Sequence, residues 1–131
     1  MLRIPTPLPD EVEDLIRTTI GCGIAVHRAL GPGLLETIYS RAIALELLAN
    51  GIAFEREKPF KVIYRGQMLY RQKLDFVVGG AIVLEIKAVE RLVSIHEAQL
   101  VNYMRIAGLR AGLLMNFNEV VLKDGLKRKV L

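Results

Sequence analysis

The stretch Leu74-Asp75-Phe76-Val77-Val78-Gly79-Gly80-Ala81-Ile82-Val83-Leu84-Glu85-Ile86-Lys87 reads as two strands joined by a glycine turn, with three charges set inside apolar runs. Charges in such places are costly unless paired or bound to a cation. Side chains alternate across a strand, so Glu85 and Lys87 share a face. The place of Asp75 depends on the turn. A strict two-residue Gly79-Gly80 turn sets Asp75 opposite Leu84. A three-residue loop with a glycine bulge pairs Val78 with Ile82 and sets Asp75 opposite Glu85. In that register Lys73, Asp75, Glu85 and Lys87 share one face, and Leu74, Phe76, Val78, Ile82, Leu84 and Ile86 form the other. The apolar pattern therefore favours the register that brings the two carboxylates together.

Adjacent carboxylates repel each other, and a divalent cation relieves the repulsion. Mg²⁺ suits hard oxygen ligands and keeps several waters in its shell. Such an ion polarises a phosphoryl oxygen and makes a bound water more acidic. A lysine two residues beyond the second carboxylate can orient that water and offset transition-state charge. An Asp/Glu–Lys salt-bridge ladder on an exposed sheet face has the same spacing, and spacing alone leaves both readings open.

Outward from the hairpin, residues 1–9 hold Pro5, Pro7 and Pro9 and read as an extended arm. A helix follows, with Asp10 as N-cap and Glu13 three residues on. Its apolar stripe through Val12, Leu15, Ile16, Ile20 and Val26 runs to about Leu30. Gly31-Pro32-Gly33 breaks it, and a second helix is expected over 34–49, stopped by Asn50-Gly51. Residues 54–64 read as a strand with an exposed side, Arg65-Gly66-Gln67 as a turn, and 69–78 and 81–87 as the two strands of the opening stretch. Ser94-Ile95-His96-Glu97 has a capping-box pattern that opens a helix to about Ala107. Residues 111–117 predict a strand buried on both faces. Residues 120–122 and 127–131 suggest a last edge hairpin. The order is ααβββαβ, an α/β chain of the mixed α+β kind, with 10–131 as a single domain.

The 131 residues suit one core, and 52% are hydrophobic, which argues against global disorder. The apolar run at 81–86 is too short to span a bilayer, and the N-terminus lacks an apolar signal core. A cytoplasmic protein without a membrane partner is expected. The lone Cys22 excludes an intramolecular disulfide and cysteine-ligated zinc, and reads as a small buried filler. The net charge of +4 is compatible with a polyanionic partner. Lys127-Arg128-Lys129 reads either as a phosphate contact or as a solvated edge strand.

The Asp-(x)n-Glu-x-Lys pattern of Asp75, Glu85 and Lys87 resembles the PD-(D/E)XK nuclease superfamily. Gly33-Leu34-Leu35-Glu36-Thr37-Ile38-Tyr39 is similar to the Gly-x-x-Glu-x-x-Tyr signature of the GxxExxY protein family, assigned to that superfamily. His27-Arg28 with Leu30-Gly31-Pro32-Gly33, His96-Glu97-Ala98-Gln99-Leu100 with Tyr103, and Asn116-Phe117 also fit its pattern. The resemblance covers about residues 11–123. It implies a restriction-endonuclease-like core, with a central mixed sheet of about four strands flanked by helices. It also implies a nuclease dependent on Mg²⁺ or Mn²⁺ and acting on nucleic acid, DNA by preference. Glu36 would be a helix-borne acid reaching the metal, Asp75 and Glu85 the metal-binding carboxylates, and Lys87 the catalytic lysine. Gln99 and Tyr103, four apart on one helix face, match a Gln-x-x-x-Tyr element that lies beside the active site in the nuclease modules of bacterial recombination helicases. Leu74 stands where the superfamily often has proline.

Several residues keep a plainer reading. Glu36 can complement a helix dipole. Tyr39 can be a core aromatic, Glu97 can complete the capping box, and His96 can lie at the surface. His27 is either an accessory metal contact or a satisfied buried histidine. Three functions compete: a metal-dependent nuclease, a catalytically inactive nucleic-acid-binding module, and a protein-interaction module of the same fold. Retention of Glu36, Asp75, Glu85 and Lys87 together argues against loss of catalysis. The small size favours a homodimer or a larger complex.

Overall fold

The computed structural model describes residues 6–131. Residues 1–5, the first part of the expected arm, lie outside the described residues. Residues 6–9 form no regular element, yet Leu8 is buried in the main core. Helix α1 (Asp10–Leu30) begins directly after Pro9, so Asp10 is its first residue rather than its cap, and no side chain caps it. Asp10, Glu11 and Glu13 complement the positive end of its dipole instead. Helix α2 (Glu36–Ala49) starts at Glu36, two residues later than expected. Strands β1 (Phe54–Tyr64), β2 (Gln67–Val78) and β3 (Ile82–Lys87) follow, then helix α3 (Ser94–Ala107), strand β4 (Ala111–Asn116) and strand β5 (Leu126–Val130). The cap of α3 differs from the expected box. The Val93 N–H donates to His96 Nδ1 at 3.0 Å, while Glu97 pairs with Lys129 at 2.8 Å.

The sheet runs β1-β2-β3-β4-β5, with β3 and β4 parallel and the other pairs antiparallel. It has five strands where about four were expected. Residues 120 and 121 stay exposed, Leu122 turns into the core, and a 3-10 turn over Leu122–Gly125 delivers β5 to the free edge of β4. The expected terminal hairpin is therefore absent. Every residue of β4 is buried, as its central place and apolar run require. Helices α1 and α2 cover one sheet face around Phe76, Leu84, Leu113 and Phe117. Helix α3 covers the other, around Leu74, Val83, Leu100 and Met104.

The Gly79-Gly80 turn adopts the bulged form. Both glycines have positive φ, 58° and 65°, and Val78 pairs with Ile82. The expected single apolar face, however, is broken at Asp75. Phe76, Val78, Leu84 and Ile86 join the α1/α2 core, but Leu74 joins the α3 core. The cause lies opposite, on β1, where Glu57 is left-handed at φ 54°. Phe54 packs on the α1/α2 side and Phe60 on the α3 side, although an even separation should place them together. Both strands thus step by one residue at the same level, and their register is unchanged across the step.

The basic run at the C-terminus is engaged in ion pairs. Arg128 donates two hydrogen bonds to Glu13 of α1, at 2.5 and 2.7 Å, and so ties the edge strand to the first helix. The guanidinium holds the Glu13 carboxyl below the usual carboxylate range, against the opposite pull of burial. A depressed pKa means that the unfolded chain takes up the proton first. The stabilisation is complete above the unfolded value and is lost as pH falls through the folded one. Glu13→Gln is expected to lower stability at neutral pH by about 1–2 kcal/mol. Its melting temperature should converge with that of the wild type as pH falls below the usual carboxylate range and through the depressed value of Glu13. A difference that stays constant with pH rules out the ionised pair as its source.

Candidate active site

The β2–β3 ladder ends at Phe76 and Leu84. One residue further, two side chains take over from the carbonyls. The Glu85 Oε1 atom accepts the Asp75 N–H at 3.1 Å, and Asp75 Oδ2 accepts the Ile86 N–H at 2.8 Å. A fork opens here between the strands, and the two carboxylates lie in it. Glu85 is 3% exposed and Asp75 is half-buried.

Lys87 leaves β3 two residues on, and its Nζ donates to Gln99 Oε1 of α3 at 2.9 Å. Tyr103, one turn along α3 from Gln99, accepts from Gln72 Nε2 at 2.7 Å. Two polar residues that the sequence reading did not single out as site residues hold this group. Gln72 ties Tyr103 to β2. Asn116, paired with Lys87 across β3 and β4, accepts the Val89 N–H at 3.0 Å and donates to Val89 O at 2.9 Å. It thereby fixes the chain just beyond the lysine. A fully buried asparagine ending an apolar strand was the available signal.

Glu36 opens α2 on the other side of the sheet. Glu36 is exposed, but crowding by the neighbouring protein raises its pKa; the Asp75 charge raises it further, and Lys87 opposes both. It shares the electrostatic field of the fork, but it does not close a cage. Among the described residues no three His, Cys, Asp or Glu side chains converge tightly enough to hold a metal ion. Tyr39 is fully buried and stacks on Phe117 at 4.7 Å. Its hydroxyl donates to Gly31 O at 2.6 Å and accepts the Leu34 N–H at 3.0 Å, so it secures the loop that delivers Glu36. His27 is buried, and its Nε2 donates to Glu119 O at 2.6 Å. Both are satisfied away from the carboxylate pair.

Burial first, and the Asp75 charge second, push the Glu85 carboxyl up to about 9, despite the Asp75 N–H and Lys87. The Tyr103 hydroxyl is also raised, by burial first and by the neighbouring carboxylates. A second negative charge in the fork is thus left uncompensated by its surroundings, and a proton on Glu85 or a cation on the carboxylate oxygens has to offset it. Those oxygens fit a hard divalent cation, and two carboxylates suffice for an ion such as Mg²⁺ that retains much of its water. Each acid fixes one oxygen on a backbone amide, and two oxygens remain for a ligand.

A family model described as the PD-(D/E)XK nuclease superfamily matches residues 13–129. No curated protein and no solved structure matches the chain.

The raised carboxyl has a measurable consequence. The native chain keeps a proton on Glu85 that the unfolded chain gives up near pH 4.5, so stability is lost as pH rises from there through about 9. Glu85→Gln mimics the protonated acid and keeps an oxygen for the Asp75 N–H. In a chelating buffer the variant should melt close to the wild type at pH 5 and increasingly above it towards pH 9. An unchanging gap contradicts the buried proton.

Proposed function

Because this chain belongs to the PD-(D/E)XK nuclease superfamily, we propose that it is a Mg²⁺- or Mn²⁺-dependent nuclease of the cytoplasm. It hydrolyses phosphodiester bonds of DNA, with residues 10–131 as one catalytic unit. The observation that carries this reading is the fork itself. Asp75 and Glu85 are locked side by side by each other's strand, and Lys87 is held beside them by Gln99.

Asp75 and Glu85 would hold the cation, and Glu36 would support it from α2 through its water shell. The bound ion supplies Lewis-acid polarisation of the phosphoryl oxygen and a more acidic water. Lys87 orients the attacking water and offsets charge that builds on the phosphate in the transition state. Gln99 sets the direction of the lysine by accepting one of its three protons. Tyr103, anchored by Gln72, lines the same hollow as Lys87 and Gln99. The bond arrangements of Tyr39 and His27 favour structural duties over contact with the metal.

The test incubates the purified chain with linear, circular and single-stranded DNA in Mg²⁺, Mn²⁺ or EDTA. Metal-dependent cleavage is expected, and Lys87→Ala should lower its rate by roughly 10²–10³. The same variant should keep the metal-induced rise in melting temperature, whereas Asp75→Asn and Glu85→Gln should lose it. A wild type that binds DNA but never cleaves it would turn the reading towards an inactive binding module. A Lys87→Ala protein that cleaves as fast as wild type removes the lysine from the mechanism.

A further inference from the structure

The β1–β2 hairpin continues past the fork. Strand β3 pairs with β2 only between Phe76 and Val78, so among the described residues β2 from Gln67 to Asp75 has β1 as its sole strand neighbour. At about 3.4 Å per residue the free part reaches roughly 30 Å beyond the end of the β2–β3 ladder. Residues 58–73 contain three lysines, two arginines and no acid. Lys58 is paired with Glu55 at 2.9 Å. Lys61, Arg65, Arg71 and Lys73 have no ion pair among the described residues. Lys61 stands directly opposite Arg71 in the register. Like charges set opposite each other destabilise a hairpin, so the arrangement calls for an anion from outside.

The other face of the arm is aromatic. Phe60 meets Tyr103 edge-on at 5.4 Å, and Gln72 bonds to the same tyrosine, which shows that this face looks towards α3. Tyr70 continues that face two residues beyond Gln72 and is 66% exposed; Tyr64 at the tip is 65% exposed. One side thus offers cations and the other an uncovered ring, and both lead to Asp75 at the base.

We propose that this arm grips a single-stranded nucleic acid, with Lys61, Arg65, Arg71 and Lys73 on its phosphates and Tyr64 and Tyr70 stacked on its bases. The strand would then lie against the fork; the proposal rests on the nuclease reading for that last step only. Stacking platforms of this kind serve unpaired bases, whose faces are open. A second copy of the chain is the poorer occupant, because arm against arm brings the same cations together in a chain of net charge +4.

Fluorescence anisotropy tests this on the full chain in EDTA, which stops cleavage, with a short single-stranded oligodeoxynucleotide and its duplex. The wild type should prefer the single strand. Lys61→Gln with Arg71→Gln should reduce the slope of log affinity against log salt by about 1.4, the equivalent of two phosphate contacts on a single strand. Tyr70→Ala should weaken binding about tenfold with an unchanged salt slope. Both proteins should stay folded, since these side chains are exposed: Tyr70→Ala should melt with the wild type, and the Lys61/Arg71 variant no lower than it, because its like-charge pair is gone. A wild type that binds the single strand no more tightly than the duplex, or that binds neither, overturns the proposal. So do variants that bind like the wild type, including the case in which they lose only self-association in sedimentation. If the arm variants bind and cleave normally, the arm proposal falls and the nuclease reading stands. If the wild type binds through the arm but never cleaves when metal is restored, the nuclease reading falls and the arm stands.

Discussion

Two amide groups, on Asp75 and Ile86, are hydrogen-bonded to carboxylates where a sheet would ordinarily offer carbonyls. Buried backbone donors must find acceptors, and here the acceptors are the two acids of the fork. The substitution lets β2 leave β3 without stranding either N–H. It also forces two like charges into a buried space, where their repulsion has to be met by a proton or by a cation. Strand geometry and chemistry are therefore the same constraint: the sheet can part only where the acids stand, and the acids are held together only because it parts.

The remaining site groups are fixed from separate parts of the fold. Lys87 belongs to the β3–β4 half, with Asn116 clamping the chain beyond it and Gln99 holding its ammonium group from α3. Asp75 belongs to the β1–β2 half, whose faces step at Glu57. Glu36 arrives from α2 on a loop closed by the Tyr39 hydroxyl. The carboxylate pair is thus the seam between two halves of one sheet.

Much of this arrangement was legible from the chain. The glycine pair and the alternation of apolar residues specified the hairpin register, because a slip of one residue would turn the whole apolar set outwards. The step at Asp75 was not legible: it depends on a left-handed Glu57 on another strand, a tertiary effect that alternation along β2 cannot report. The cap of α3 was misread for a similar reason. Ser94 and Glu97 have the right spacing, but the helix begins one residue earlier in phase, so His96 falls where it can accept the Val93 N–H. Strand β5 was anticipated at 127–131, but its partner was not: it pairs with β4 across a turn that has no hairpin signature, rather than with residues 120–122. For Glu36, position on a helix start is visible in sequence, whereas its distance from the carboxylate pair is a property of packing alone.

The double duty of Asp75 and Glu85 bears on how such a chain can drift. Replacing either acid with an apolar residue withdraws an acceptor from a strand amide, so the substitution damages the sheet whatever happens to catalysis. Lys87 gives a single bond to the half-buried side chain of Gln99, and no backbone group depends on its ammonium. A lineage released from selection for cleavage would therefore lose the lysine before the acids. The acidic pair would outlast the reaction as a remnant of architecture, and its presence alone would say less about activity than the residue two places beyond it.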